Sequence, residues 1–295
     1  MDYTLYVGDY AYSSWSLRGW LLADAFGIAV TLRHALMNTP EFEALKAEMT
    51  PSRLVPALAM DDGVRPPVLV WDTLAIAESL HEYHNQAGIW PKGAAARPAG
   101  RALAAEMHSG FTALRGACPM NMRRAYADFA VTDEVQADLD RLAELWAYAR
   151  ARQTTEGPFL FGAFSAVDAF FAPVASRIAT YGLPVGDEDQ AYVAALLGHP
   201  SVRRWRAMGM ASKHLQAHYE FDLPGRPNPH DPSVTGQAVA GANPKNEFCP
   251  FSGRDVADDS LVDVDGTVIG FCNTFCRDKV AADPLAWPEA AALLR

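Results

Sequence analysis

Ser13, Ser14 and Ser16 place three hydroxyls within four positions of the run Tyr12-Ser13-Ser14-Trp15-Ser16-Leu17-Arg18. Before the run, Thr4-Leu5-Tyr6-Val7-Gly8 has the composition of a buried strand. After it, Trp20, Leu21, Leu22, Ala25 and Phe26 recur with helical spacing up to a capping Gly27. The hydroxyls therefore sit where a strand hands over to a helix, where free N–H groups and the helix dipole favour an anion. A thiolate is such an anion. One serine alone would read as an N-cap; three of them, with Arg18 one turn on, point to a site.

A second set of reactive side chains lies near the other end. Three of the four cysteines, Cys249, Cys272 and Cys276, fall in the last fifth with 22 and then 3 residues between them. Three thiolates would suit zinc or a softer ion. Ser252 stands where a zinc ribbon carries a further cysteine, and no histidine follows it, so Asp278 or a water would complete the shell; the alternative is three reduced thiols in a small core. Cys118, alone between Ala117 and Pro119, reads as a buried inert thiol.

The elements that must hold these groups follow the order β-α-β-α-β-β-α over residues 1–86, which fits a thioredoxin-like α/β domain. Its third strand opens at Arg53-Leu54-Val55-Pro56, where proline leaves the Val55 N–H and C=O free for an extended peptide. Asp72-Thr73 caps its last helix. Residues 93–222 read as an all-α bundle: Thr132 caps a helix carrying Val135, Leu139, Leu142 and Trp146, and Ser165-Ala166-Val167-Asp168 has capping-box spacing. Pro173 inside that second helix predicts a kink or a later start. Residues 223–243 read as a Pro/Gly linker, and 244–295 as a small module with a hairpin over Asp265-Gly266 and a helix from Cys272. The fold class is α+β.

At 295 residues, half apolar and with net charge −10, the chain has enough apolar residue to bury a sizeable core and lacks the basic surface that nucleic acid requires. The tail module, with five basic and nine acidic residues, is itself acidic. Without a basic leader or a long apolar run, the expectation is a cytoplasmic protein that does not engage membranes.

Four of these motifs together resemble a cytosolic glutathione transferase over the first 220 residues. Ser13 to Arg18 is similar to the serine signature of the zeta and related bacterial classes, Val55-Pro56 to the cis-proline loop, Asp72 to Ile76 to the Glu/Gln-Ser-x-Ala-Ile motif, and Ser165 to Asp168 to the capping box of the helical domain. The resemblance implies glutathione as co-substrate, a small electrophile as second substrate and a homodimer. It implies Ser13, in preference to Ser14, as the hydroxyl that activates the thiol, with Ser16, Arg18, Arg53, Val55, Pro56, Asp72 and Thr73 around glutathione. His108, Arg123 and Arg124 fall where the family builds its second-substrate pocket. Trp15 stands where the zeta signature has cysteine, which counts against maleylacetoacetate isomerisation, and Asp72 is shorter than the usual residue. The tail resembles the treble-clef-like TRASH or YHS modules, which implies zinc or a related ion on Cys249, Cys272 and Cys276. The alternative function is a non-catalytic glutathione-binding or metal- or redox-sensing protein.

Overall fold

The computed structural model describes residues 1–295. Strand β1 (Asp2–Val7) turns Tyr3, Leu5 and Val7 inward and lies inside a four-stranded sheet of order β2-β1-β3-β4. It pairs in parallel with β2 (Thr31–His34), which requires a crossover, and α1 (Ser14–Asp24) supplies it. After α2 (Pro40–Glu48), β3 (Ala57–Asp61) and β4 (Val68–Trp71) add an antiparallel hairpin, and α3 (Thr73–Tyr83) packs beside α1. The Val55–Pro56 peptide leading into β3 is cis. Gly19 on α1 makes room for that loop, since a Cβ there would lie 2.7 Å from the Cβ of Pro56.

The second domain comprises α4 (Ala96–Ser109), α5 (Thr112–Ala117), α6 (Asp133–Arg150), α7 (Ala166–Tyr181), α8 (Asp187–Gly198) and α9 (Pro200–Ala211). Helix α7 is buried along its whole length and packs on α1, α4 and α8. The capping box that starts it is complete: Asp168 accepts from the Ser165 N–H at 2.8 Å and the Ser165 hydroxyl at 2.9 Å. The helix runs from Ala166 straight through Pro173, so the expected later start does not occur.

The stretch read as a linker is not one. Arg226 donates to the Tyr126 and Ala179 carbonyls and Arg206 pairs with Asp231, strapping residues 226–231 along the helical domain. Gln237–Val239 then forms β5, the edge of a three-stranded antiparallel sheet with β6 (Leu261–Val264) and β7 (Thr267–Gly270). Asp265 and Gly266, both at positive φ, make the turn between β6 and β7. Helix α10 (Thr274–Ala282) packs on this sheet and against α9, and α11 (Pro288–Leu293) closes the chain. Arg203 on α9 forms a two-pronged ion pair with Asp283, and Arg204 joins Asp24 to the Ala286 carbonyl. One buried apolar cluster includes residues from all three parts. No helix is long and apolar enough to cross a membrane.

Candidate functional site

A cleft of about 750 Å3 opens between the first two domains. Its floor is the start of α1, with Tyr12, Ser13, Ser14 and Trp15 on its surface. Lys46 of α2 and Arg53, Leu54 and Val55 before β3 form one wall; Arg115 of α5, Arg177 of α7 and the segment His218-Tyr219 form the other. Both serines named from the sequence are thus at the floor, and Val55 and Arg53 at the side. The Val55 N–H and C=O make no hydrogen bond within the protein, leaving both for an extended ligand.

The serine at the helix cap is held by its neighbours. The Ser13 Oγ accepts from the Ser16 N–H at 3.2 Å, and its hydroxyl and that of Ser16 share a hydrogen bond of 2.8 Å. The Ser16 Oγ also accepts from the Gly8 N–H at 2.9 Å. Two oxygens and two amides form a chain from the end of β1 to the cleft floor. The Ser14 and Trp15 N–H groups, among the first of the helix, have no acceptor, and the Ser14 hydroxyl has no partner. An anion at the floor would meet these donors and the positive end of the α1 dipole.

Several residues expected around the ligand lie elsewhere. Ser16 is fully buried beneath Ser13 and does not reach the cleft. Arg18 is one turn deeper, where α7 covers it; its Nε donates to the Phe170 carbonyl and its guanidinium lies 4.4 Å from the Trp15 ring centre. Burial, with Arg177 and Arg115 nearby, lowers its pKa far below the usual arginine value. Pro56 is buried behind Val55 and acts on the loop's shape. Asp72 caps α3 by accepting from the Leu74 N–H, and its other oxygen lies 3.0 Å from His108 Nε2. His108 also meets the buried Thr73 hydroxyl at 3.4 Å, so it sits on the Asp72-Thr73 pair and not in a second-substrate pocket. Burial keeps its pKa below the ordinary histidine value, against the pull of Asp72. Arg123 donates to the His214 carbonyl and Arg124 to Glu220, both outside the cleft.

Among the residues that line the cleft unannounced are the polar and aromatic groups of Lys46, Arg115, Arg177, His218 and Tyr219. One signal for Arg177 was available: it is the lone charge in the apolar stretch from Ala169 to Ile178.

The tail brings its three thiols together. The Sγ atoms of Cys249, Cys272 and Cys276 all lie within 4.8 Å of one another. Burial raises the Cys249 pKa, but the Cys272, Phe251 and Ser252 amides and the Ser252 hydroxyl outweigh it and bring the thiol down to about 7. Cys272 accepts from the Ser252 hydroxyl and the Asn273 amide at 3.2 Å each and from Arg254 at 3.5 Å. Burial pushes Cys276 up to about 11. Asp278 is not the fourth ligand, because Arg277 holds its carboxylate at 2.7 Å. The donor set fits a thiophilic ion that accepts three sulfurs, with any fourth ligand coming from solvent. Cys118 is fully buried and its thiol is pushed up to about 12 by burial.

Residues 12–82 match the family model described as glutathione S-transferase, N-terminal domain, and residues 95–207 the one described as glutathione S-transferase, C-terminal domain. No curated protein matches the chain. Among solved structures, a glutathione transferase homolog from Burkholderia GL BGR1 with bound glutathione superposes with a TM-score of 0.53 at 22% identity, over 72% of this chain and 100% of its own. Glutathione transferase Omega 3C from Trametes versicolor does so with a TM-score of 0.52 at 18% identity, over 70% and 88%. Maleylacetoacetate isomerase from Anaeromyxobacter dehalogenans 2CP-1, with bound dicarboxyethyl glutathione and citrate, gives 0.50 at 20% identity, over 76% and 98%. These likenesses establish a shared fold, and neither family model extends past residue 207.

Proposed function

The chain belongs, through residues 12–82 and 95–207, to the glutathione S-transferase family, and from that premise we propose that it is a glutathione transferase or isomerase whose thiol is activated by Ser13. The supporting observation is the hydrogen-bond chain under the cleft floor. When the glutathione sulfur presents itself as an acceptor, the Ser16 hydroxyl, already accepting from Gly8, turns its proton to the Ser13 oxygen, and Ser13 donates its own to the sulfur. Hydroxyl protons rotate at little cost, so the switch needs no heavy-atom movement. The Ser14 and Trp15 N–H groups and the α1 dipole add to the field that favours thiolate over thiol.

Val55 pairs by backbone with the cysteinyl part of the tripeptide, and Arg53 and Lys46 lie on the same wall to meet a carboxylate. At the start of α3, beyond the cleft lining itself, Asp72 is the carboxylate offered to the γ-glutamyl amine, oriented by His108. Trp15, where zeta-like chains carry cysteine, gives this floor an aromatic face. The family's homodimer is adopted with it, to be tested by sizing in solution. Titration of glutathione into the wild-type protein, followed by the ultraviolet absorbance of the bound thiolate, tests the reading: binding without a lowered thiol pKa would leave a glutathione-binding protein and no transferase.

A second reading concerns the tail. The thiol cluster supports a site for zinc or a softer thiophilic ion on Cys249, Cys272 and Cys276, as a TRASH- or YHS-like module would carry, and such an ion would be held by thiolate charge with Arg254 and the buried Lys279 beside it. Elemental analysis of protein purified without chelator, with Cys272→Ser as the control, decides it; equal metal content in both would remove the site.

A further inference from the structure

The residues lining the cleft number 17; four are Lys46, Arg53, Arg115 and Arg177, and no aspartate or glutamate is among them. Two of these cations flank Val55 on the glutathione wall. The other two come from the helical domain, and their partners are all neutral. Arg177 is 5% exposed. Its Nε donates to the Cys118 carbonyl at 2.7 Å and its Nη1 to the Pro173 carbonyl at 3.1 Å, while its Nη2 has no partner in the protein. The Arg115 Nη1 donates to the His108 and Gly110 carbonyls at 3.2 and 3.1 Å, leaving Nη2 and Nε free, and its guanidinium lies 5.1 Å from the Trp15 ring centre. Arg18 approaches the same ring at 4.4 Å.

Two guanidiniums thus flank one tryptophan, Arg177 lies close enough to both to act on their charge, and none of the three has a carboxylate among its hydrogen-bond partners. Buried charge of one sign is costly unless something neutralises it. The carboxylate bonded to the cleft residue Tyr12 is already committed: Glu220 accepts from Tyr12, Asn121 and Arg124. The strain shows in Arg177, whose pKa burial and Arg115 lower to about 10; it stays charged at neutral pH. Carbonyls pin both arginines, both side chains line the cleft, and the N–H groups left without partners are suited to a planar oxyanion.

We propose that the second substrate is an electrophile bearing a carboxylate, which docks on Arg177 and Arg115 with its reactive carbon turned to the sulfur above Ser13. This rests on the glutathione reading above. For a halogenated nitrobenzoate the step balances simply: the thiol proton passes to solvent, the sulfur's electron pair forms the carbon–sulfur bond, and the halide leaves with the pair from the carbon–halogen bond. A carboxylate held by two charge-assisted hydrogen bonds gains roughly 10- to 100-fold in affinity over a neutral isostere.

Two measurements on the full chain test it. Quenching of intrinsic tryptophan fluorescence compares the binding of 3,5-dinitrobenzoate with that of its methyl ester, with glutathione present. Steady-state rates then compare 4-chloro-3,5-dinitrobenzoate with its methyl ester. The expected result is a preference for the acid of about 10-fold or more in both, shrinking by at least about 10-fold in Arg177→Met and in Arg115→Gln. Arg115 is the less buried of the two, so its variant answers if Arg177→Met does not fold. Equal binding of acid and ester by the wild type overturns the proposal. So does a loss of glutathione affinity in both variants with the acid preference intact, which would assign the arginines to the tripeptide. Glutathione titrated alone separates the two readings: no glutathione binding together with a preserved acid preference would sink the transferase reading and leave the anion site standing.

Discussion

Replacing Ser13 with alanine removes one hydroxyl with two duties. As the cap of α1 it accepts from the Ser16 N–H, and loss of a serine cap costs about 1 kcal/mol, which lowers Tm by roughly 2–4 °C in a chain of this size. As proposed donor to the sulfur, it contributes one hydrogen bond to a charged group, about 1.5–3 kcal/mol. At about 1.36 kcal/mol per pH unit, the thiol pKa of bound glutathione should rise by roughly one to two units in Ser13→Ala. The sign follows from the charged form being the one stabilised: weaker stabilisation of the thiolate means a higher pKa, and the thiolate-to-thiol ratio falls by about 10- to 100-fold. The Ser14 and Trp15 amides and the α1 dipole remain, so the value stays below that of free glutathione. Ser16→Ala breaks the relay and leaves the Gly8 N–H without its acceptor, so the shift should be smaller, under about one unit. Absorbance of the bound thiolate across pH, in the wild type and the Ser13, Ser14 and Ser16 variants, reads all of this directly. A large shift in Ser14→Ala together with none in Ser13→Ala would refute the reasoning, making Ser13 a cap and nothing more.

Further outcomes are accessible by routine methods. His199 caps α9 by accepting from the Ser201 N–H through Nδ1, and burial, with Arg204 adding to it, pushes its pKa down to about 4. Because the unfolded chain then binds the extra proton first, stability should fall as pH drops from about 6.5 towards 4, by roughly 2 kcal/mol after allowance for solvent screening. His199→Asn keeps a capping oxygen and should flatten that limb of a Tm-against-pH curve; an unchanged slope would argue against it. Asp168 also accepts from the Leu160 N–H and the Tyr192 hydroxyl, four donors in all, so Asp168→Ala should cost about 3 kcal/mol or more in urea unfolding. Gly19→Ala drives a Cβ against Pro56 and should cost about 1–3 kcal/mol, with KM for glutathione rising as the Val55 loop moves. Unchanged KM would uncouple the loop from binding.

Much of the scaffold was readable because local rules and tertiary structure agree. Val55-Pro56, the Asp72, Thr132 and Ser165-Asp168 caps and the Asp265-Gly266 turn each state their backbone geometry in two to four residues, and each folds as stated. The site was readable only where it depends on the same local geometry, at Ser13, Ser14, Arg53 and Val55. Arg18 failed because the cover that hides it is Phe170, 152 residues away, and His108 because its partners come from the other domain. Arg115 and Arg177 went unseen for the converse reason: a cleft between domains is lined by residues whose neighbours in sequence are ordinary helix. The Pro-rich strap misled because proline and glycine predict the absence of regular structure and say nothing of side chains such as Arg226 that anchor it.

The two arginines of α9 that grip the tail, Arg203 on Asp283 and Arg204 between Asp24 and the Ala286 carbonyl, have a consequence for how the chain comes apart. Arg204 touches the first domain and the tail at once from a helix of the second. The three parts therefore share a keystone, and shared contacts of this kind bind separate units into one cooperative transition. Cutting the chain at the family's usual boundary would not release a minimal enzyme from an accessory; it would strip the outer side of α9 and uncover apolar surface the first two domains do not hide by themselves. By the same logic, whatever the thiols of the tail capture adds its binding free energy to the stability of the whole molecule, cleft included.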